Sequence, residues 1–302
     1  MTENPSPRML RGRCGEDEGV YGNHNWRRPL GTDRVIYGVD FSGAKDAGNK
    51  IWVAKAVPDG KRLLVSECYR ARDLPNSGKG PDACSSALAD LIRSETNAAF
   101  GFDFPFGLPT PLVEEKSWED FVLGFPSRYK SPEAFRQSCR QANRGRKLKR
   151  KTDTEARTPF SPYNLRLFKQ TYYGISEILF PILQDSGAYV LPFYEPIDGK
   201  PWILEVCPAS TLKRLMKDGV PSYKGPEEDK RENRRQILGV VKNEGVVLEK
   251  DVAIEKNIID NKGGDALDSV IAALAVFSAI QNQDALIPED EGYWKIEGYV
   301  YP

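Results

Sequence analysis

The sequence predicts an α/β fold in which a mixed β-sheet carries helices on both faces and is interrupted by a helical insertion. Four early apolar segments predict strands, at 34–40, 51–57, 62–69 and 98–103. The Asp59-Gly60 turn favours an antiparallel hairpin of the second and third strands. A helical pattern at 81–95 precedes the fourth strand, as in a crossover between parallel strands. Antiparallel and parallel neighbours together make the sheet mixed.

The rest of the chain is predicted to be mainly helical. Residues from about 112 to 187 form the predicted insertion, whose clearest part is an amphipathic helix at 165–183. Later elements are a strand at 202–206, helices at 208–216, 229–242 and 265–280, and a terminal hairpin at 292–301. Residues 1–32 lack apolar periodicity, so we expect a flexible arm followed by one domain at 33–302.

Composition excludes several kinds of chemistry. The 302 residues include one histidine, His24, in the irregular N-terminal stretch, so neither a Ser-His-Asp triad nor a His-rich zinc site is expected in the domain. The five cysteines include no C-x-x-C pair, which disfavours a zinc cluster or a redox dithiol. Catalysis would therefore depend on carboxylates, lysines, hydroxyls or a bound metal.

The sequence also favours a cytoplasmic protein that contacts no membrane. Its longest apolar run, 270–280, is too short to cross a bilayer, and its N-terminal residues lack the apolar core of a signal peptide. An odd, scattered set of cysteines is typical of a reducing compartment. The equal numbers of basic and acidic residues, 43 each, give no whole-molecule attraction to nucleic acid. No pattern indicates an oligomeric state.

Acidic residues recur at or near the ends of predicted buried strands and at the start of a predicted core helix. Asp40 ends the first strand, Asp103 stands among four phenylalanines after the fourth, and Glu205 is the one acid of an apolar strand. Asp265 and Asp268 begin the 265–280 helix three residues apart and share one face. An unpaired buried carboxylate is costly, so each needs solvent, a basic partner or a cation.

Each acid also has an ordinary structural interpretation. Asp265 is a plausible helix N-cap, and Asp40 is a plausible turn residue. Glu205 has Lys213 and Arg214 as candidate ion-pair partners. Taken together, clustered carboxylates repel one another unless a divalent cation holds them, and oxygen-only ligands favour Mg²⁺ or Mn²⁺. Two such ions support phosphodiester cleavage by activating water and stabilising the leaving oxygen.

Four blocks in order resemble a known family. They are Gly38-Val39-Asp40-Phe41-Ser42-Gly43, 102–109, Glu205-Val206-Cys207-Pro208-Ala209 and Asp265-Ala266-Leu267-Asp268. They resemble an uncharacterised bacterial and archaeal family of predicted nucleases with a ribonuclease H-like fold. The last block is also similar to the metal-binding helix of RuvC-type Holliday-junction resolvases.

The resemblance implies a mixed five-stranded sheet, with Asp40 on the first strand and Asp103 on the fourth. It further implies that Asp268, with Asp265, completes a Mg²⁺ or Mn²⁺ site from the last helix. Glu205 matches the acid block of the family. Asp40, Asp103, Glu205 and Asp268 are thus the candidate catalytic residues, and Asp40, Asp103, Asp265 and Asp268 are the candidate metal ligands.

A basic segment offers a surface for nucleic acid. Seven cations fall within 140–151, with no acid among them, and their binding to phosphates would depend on salt. The candidate substrate contacts are Ser42, Arg144, Arg146, Lys147, Lys149 and Arg157. A solvated run of charge is the alternative interpretation of the same segment.

Three functional hypotheses follow. The first is a metal-dependent nuclease that cleaves nucleic acid of unspecified type with the carboxylate site. The second is an actin-like ATP-binding or phosphotransfer protein, because Asp40 and Ser42 stand in a Gly/Ser turn after the first strand. The third is a non-catalytic binding module with the same fold.

Overall fold

The structure is a computed structural model, and it describes residues 33–249, 252–282, 286–288 and 292–302. The predicted arm at 1–32, with His24, lies outside the described residues. The α/β class is confirmed, because a mixed sheet is flanked by helices. The extent of the domain and the limits of its insertion stay predictions.

The described elements follow the predicted order closely. The strands are β1 (Val35–Asp40), β2 (Trp52–Asp59), β3 (Arg62–Arg70), β4 (Ala98–Phe102), β5 (Tyr189–Val190), β6 (Trp202–Val206), β7 (Val246–Leu248) and β8 (Val300–Tyr301). The helices are α1 (Ala47–Lys50), α2 (Pro81–Ser94), α3 (Trp118–Arg128), α4 (Pro132–Ala142), α5 (Lys151–Glu155), α6 (Phe168–Gly174), α7 (Phe180–Gln184), α8 (Pro208–Leu215), α9 (Glu228–Asn243), α10 (Val252–Asp260), α11 (Asp265–Gln281) and α12 (Trp294–Glu297). A π-helical segment, Ile175–Leu179, joins α6 to α7.

Sheet topology brings the ends of three strands together. The strand order is β5-β6-β4-β1-β2-β3-β7, and β8 pairs with β6. β1, β2 and β3 are antiparallel neighbours, whereas β4 is parallel to β1 and β6 is parallel to β4. The mixed five-stranded sheet that the resemblance implied is therefore present as β3-β2-β1-β4-β6, and three short strands extend it. The carboxyl ends of β1, β4 and β6 lie at one edge.

Helix α11 packs on the sheet at a very short distance. A Cβ atom placed on Gly38 of β1 would lie 2.0 Å from Ser269 O and 2.3 Å from Ala273 N, both backbone atoms of α11. A Cβ on Gly101 of β4 would lie 2.4 Å from a methyl group of Val276. Glycine at these two strand positions lets the helix backbone approach the sheet. The first turn of α11 is thereby held near the carboxyl ends of β1 and β4.

The opposite face of the sheet is aromatic. Tyr37 of β1 stacks on Phe100 of β4 at 4.6 Å between ring centroids, and its hydroxyl donates to Glu95 Oε1 at 2.6 Å. Glu95 follows α2, so this bond ties the helix to the sheet face away from α11. Successive side chains of β1 point to opposite faces of the sheet, so Gly38 allows α11 to pack on one face while Tyr37 contacts the α2 side on the other.

The predicted terminal hairpin is wrong. The described residues from 292 onward contain α12 and then β8, which pairs in parallel with β6. The aromatic residues at 299 and 301 favour a strand, which made the whole segment look like a hairpin, but it contains a strand of only two residues. β5 and β7, of two and three residues, were missed because such short strands show no alternation.

Within the described residues, no single helix is both long and apolar enough to cross a membrane. The bent pair Ala253–Asp260 with Asp265–Gln281 meets that requirement only when its two helices are counted together.

Candidate functional site

Asp40 and Asp103 lie at the carboxyl ends of two adjacent parallel strands. Asp40 is the last residue of β1, and Asp103 follows β4, where its backbone N–H donates to Val39 O at 3.0 Å. Side chains alternate along a strand, so Asp40 shares a face with Gly38, and Asp103 continues the face of Gly101. Both glycines contact α11, and both carboxylates therefore lie on the helix side of the sheet.

The first turn of α11 adds Asp265 and Asp268. Asp268 is buried, and its two carboxylate oxygens have separate partners: the Tyr223 hydroxyl donates to Oδ1 at 2.7 Å, and Lys224 Nζ lies 2.6 Å from Oδ2. Asp265 is half-buried. The expected N-cap role of Asp265 is wrong, because Gly264 with φ +79° is the N-cap and Asp265 is the first helical residue.

Hydrogen bonds from Arg234 of α9 hold the loop that carries Tyr223 and Lys224 in place. Arg234 is buried, and its Nη1 donates to Tyr223 O at 2.7 Å and to Gly225 O at 3.2 Å. The backbone N–H of Gly225 donates to Lys262 O at 2.8 Å. These bonds place the ammonium of Lys224 against Asp268, although the lysine side chain is 54 % exposed.

The charge of Asp268 acts on the other three aspartates. Burial and then the charge of Asp268 raise the pKa of Asp40 well above its ordinary value, and the same two causes raise the pKa of Asp103 to about 7. Burial also raises the pKa of Asp265. Asp268 in turn raises the pKa of Lys224, which stays protonated. One fixed ammonium therefore faces several carboxyl groups that resist ionisation.

Glu205 lies close enough to Asp103 for its charge to raise the pKa of that carboxyl, but its side chain leaves the sheet on the other face. In the β4–β6 register Glu205 is opposite Phe102, whereas Leu204 is opposite Gly101. A shift of one residue reverses the side-chain direction, so Glu205 is turned away from α11. Its Oε2 accepts the backbone N–H of Phe106 at 2.9 Å.

Arg150 is the ion-pair partner of Glu205. Its Nη1 donates to Glu205 Oε2 at 2.9 Å, its Nη2 donates to Oε1, and its Nε and Nη2 donate to Asp153 at 3.0 and 2.8 Å. All three side chains are at most 3 % exposed. The expected pairing of Glu205 with Lys213 or Arg214 is therefore wrong. Glu205 anchors the insertion to β6.

The predicted basic segment divides between surface and core. The five candidate cations are exposed, namely Arg144, Arg146, Lys147, Lys149 and Arg157. Arg150, counted with them in the sequence, is buried in the Glu205 network. Lys149 Nζ donates to Thr158 O at 2.5 Å, and Thr158 lines the pocket that is described next. Ser42 is half-buried in the turn after β1, and its Oγ accepts the Ala44 N–H at 3.4 Å.

A pocket of about 230 Å³ opens beside the aspartates. Asp103, Asp268 and Lys224 line it together with Gln170 of α6. Cys207 is in its wall, and burial raises the pKa of that thiol to about 12, so the thiol stays protonated. The structure thus joins the carboxylate edge of the sheet to a recess that the helical insertion completes.

Lys224, Tyr223 and Gln170 were not among the residues that the sequence singled out. Tyr223 and Lys224 lie in an irregular loop between α8 and α9, and Gln170 lies in the insertion. Neither segment has a motif or a periodicity that points to the aspartates. Their proximity depends on tertiary packing alone.

The donor chemistry fits a divalent cation, although the side chains are not arranged around one. Asp40, Asp103, Asp265 and Asp268 supply oxygen ligands only, which suits Mg²⁺ or Mn²⁺. Within the ranges that the structure describes, no group of three or more His, Cys, Asp or Glu side chains is placed to hold a metal ion. The ammonium of Lys224 provides the positive charge beside Asp268 instead.

The fold and this site define the class of protein: an α/β protein with clustered aspartates at the carboxyl edge of a mixed sheet. The chain belongs to the family described as "Protein of unknown function (DUF429)", whose model matches residues 38–292. The predicted membership of an uncharacterised family is confirmed.

Two further comparisons add little. No curated protein matches the chain. Among solved structures, the yeast mitochondrial Holliday junction resolvase Ydc2 is similar to it with a TM-score of 0.40 and 10 % identity, over 86 % of each chain. At that level of similarity, the likeness supports no conclusion about this protein.

Proposed function

We propose that this protein is a metal-dependent nuclease that hydrolyses phosphodiester bonds of nucleic acid. The observation that carries the proposal is the convergence of Asp40, Asp103 and Asp268 from three separate elements, with the charge of Asp268 raising the pKa of both other carboxyl groups. Repulsion between buried carboxylates lowers the stability of the fold. Ionisable groups with strongly shifted pKa values cluster at functional sites.

In this proposal Asp40, Asp103 and Asp268, assisted by Asp265, hold Mg²⁺ or Mn²⁺. The metal, when bound, supplies Lewis acidity to a phosphate oxygen and lowers the pKa of an attacking water. Lys224 must leave Asp268 for the metal to bind there, because its ammonium contacts Oδ2. Glu205 acts indirectly, by keeping Arg150 and the insertion against the sheet.

The exposed cations then contact the phosphate backbone. Of these five, Lys149 and Arg157 lie beside the pocket, since each contacts or adjoins Thr158, which lines it. Arg144, Arg146 and Lys147 extend the basic surface. Ser42, in the turn that follows Asp40, is proposed as a further contact to substrate.

The test is a Mn²⁺-dependent cleavage screen over labelled single-stranded, duplex, hybrid and branched nucleic acids. Cleavage that requires metal and is lost in Asp40→Asn supports the proposal. Undiminished cleavage by Asp40→Asn refutes the site assignment. Tight ATP binding without cleavage would instead support an actin-like phosphotransfer protein, and no thermal stabilisation by Mn²⁺ would support a non-catalytic module.

Lys224→Gln is expected to tighten Mn²⁺ binding about tenfold, because removing one ammonium at contact distance leaves a more negative site by an energy on the order of 1.4 kcal/mol. Isothermal titration calorimetry measures the effect. Lys61→Gln is the matched control, since Lys61 is an exposed lysine in the β2–β3 turn. Weaker Mn²⁺ binding in Lys224→Gln would contradict the competition between Lys224 and metal.

A further inference from the structure

The pocket beside Asp103 and Asp268 has the size of one nucleobase. Its volume is about 230 Å³, which leaves room for a flat ring of nucleobase size. The side chains that give the pocket an apolar wall are Phe104, Pro105, Pro159, Phe160 and Pro208.

Phe160 and Arg166 form a stacking surface on this pocket. Both line it, and the Arg166 guanidinium lies 5.6 Å from the centroid of the Phe160 ring. Phe160 is half-buried and Arg166 is exposed, so the pair is accessible from outside. Proteins that bind single-stranded nucleic acid stack bases on aromatic rings and on arginine in this way. The neighbouring Leu165 is 68 % exposed and adds apolar surface beside the pair.

An arginine row lies next to the pocket, on the other side of α6. Arg136, Arg140 and Arg144, spaced by four residues, line a groove of about 600 Å³ with Phe168. None of the three has an ion-pair partner in the part of the chain that the structure describes. Glu133, the acid that also lines the groove, is ion-paired with Lys169 at 3.5 Å. The three guanidinium groups of the row are therefore available to bind an anionic ligand.

The first turn of α6 separates the pocket from the groove. Leu167 and Gln170 line the pocket, whereas Phe168 lines the groove. A ligand that crosses this single turn therefore touches both. A nucleic-acid strand has the necessary chemistry, because its phosphates suit arginine and its bases suit an apolar, aromatic recess.

We propose that the substrate is a single strand, with one unstacked nucleotide in the Phe160 pocket and its adjoining backbone on the arginine row. This inference rests on the proposed function for the identity of the polymer. A base within a continuous duplex is paired and stacked, and reaches such a recess only after it is extruded at an energetic cost. Single strands therefore bind more tightly than the same sequence as a duplex.

The test measures binding without catalysis. Fluorescence anisotropy in EDTA follows a labelled oligonucleotide as a single strand and as a blunt duplex, with free nucleoside monophosphates as competitors. We expect the single strand to bind at least tenfold more tightly than the duplex, and the monophosphates to compete weakly. Tighter duplex binding overturns the inference, as do monophosphates that bind as tightly as the strand.

Phe160→Leu isolates the stacking contribution. It keeps an apolar side chain but removes the aromatic ring, so single-strand affinity should fall about tenfold while duplex affinity changes little. Phe180→Leu is the matched control, because Phe180 is also half-buried and lines neither the pocket nor the groove. Equal single-strand affinities for the two variants would overturn the pocket assignment.

The double variant Arg140→Gln/Arg144→Gln isolates the backbone contribution. The slope of log affinity against log salt should become shallower by about 1.4, at ~0.7 per phosphate contact on a single strand. Arg231→Gln/Arg235→Gln is the control, since these residues have the same spacing on α9 and are paired with acids. An unchanged slope in the first double variant overturns the arginine-row assignment. If binding behaves as expected and no nucleic acid is cleaved, the proposed nuclease activity fails while this inference stands.

Discussion

Asp40→Asn is expected to abolish Mn²⁺-dependent cleavage and, at the same time, to stabilise the metal-free protein at pH 8. Asp40 is 8 % exposed, and burial and the charge of Asp268 raise its pKa. Between the unfolded pKa, near 4, and the raised folded pKa, the folded state binds more protons than the unfolded state. Stability contributed by this group therefore falls as pH rises through that window. Asparagine does not titrate, so the variant avoids the loss.

Thermal melts in EDTA at pH 5 and pH 8 measure this effect. We expect the Tm of Asp40→Asn to exceed that of the wild type by about 2–4 °C at pH 8, which corresponds to ~1 kcal/mol for a chain of this size, and by less at pH 5. Asp103 adds to the wild-type decline up to its own pKa of about 7.

Asp46→Asn is the control for this prediction. Asp46 lies between β1 and α1, is exposed, and makes no side-chain cap bond to α1. Its replacement should change stability by less than ~0.5 kcal/mol. A lower Tm for Asp40→Asn at both pH values would show that Asp40 is a structural acid, and the functional interpretation would then be lost.

Arg150→Ala is expected to destabilise the fold by ~3–5 kcal/mol, because it leaves two carboxylates buried without their cation. Asp153 and Glu205 are each at most 3 % exposed, and Arg150 contacts both. Arg150 Nη1 also donates to Glu297 O at 2.9 Å. The residue thus joins the insertion, strand β6 and α12, and its loss affects all three.

Denaturant unfolding followed by circular dichroism measures this effect. Arg93→Ala is the control, since Arg93 is also paired with two acids, Asp90 and Asp185, but at the surface, where an ion pair contributes at most ~1 kcal/mol. If Arg150→Ala costs no more than Arg93→Ala, the Arg150 network does not hold the insertion in place. Arg150→Lys retains the charge but loses the two-pronged contact, so its cost should be intermediate.

Local patterns were sufficient for most elements of the fold. Apolar segments located β1 to β4, and the acids of α11 were visible in sequence because they begin a strongly apolar helix. The close approach of α11 to the sheet occurs at Gly38 and Gly101 of the sheet, opposite Ser269, Ala273 and Val276 of the helix.

The acids show where sequence reasoning stopped. Asp40 and Asp103 were grouped with Asp268 because the first two follow predicted strands and the third begins a predicted core helix, and the structure brings all three to one edge of the sheet. Glu205 also lies near the end of a buried strand, but its side chain is on the face of the sheet away from α11, because strand pairing aligns it with Phe102. The face of the sheet on which a side chain lies depends on the register between strands. One sequence does not specify that register for strands that are a hundred residues apart.

The sequence by itself determined the order of the main strands and helices, the presence of a mixed sheet and the acids near strand ends, since these follow from patterns among neighbouring residues. Only the tertiary structure decided that Lys224 contacts Asp268, that Arg150 is buried rather than part of the basic surface, and that the insertion closes a pocket beside the aspartates. Each of those facts joins residues from distant segments. Such contacts depend on how whole layers pack, and no local pattern encodes them.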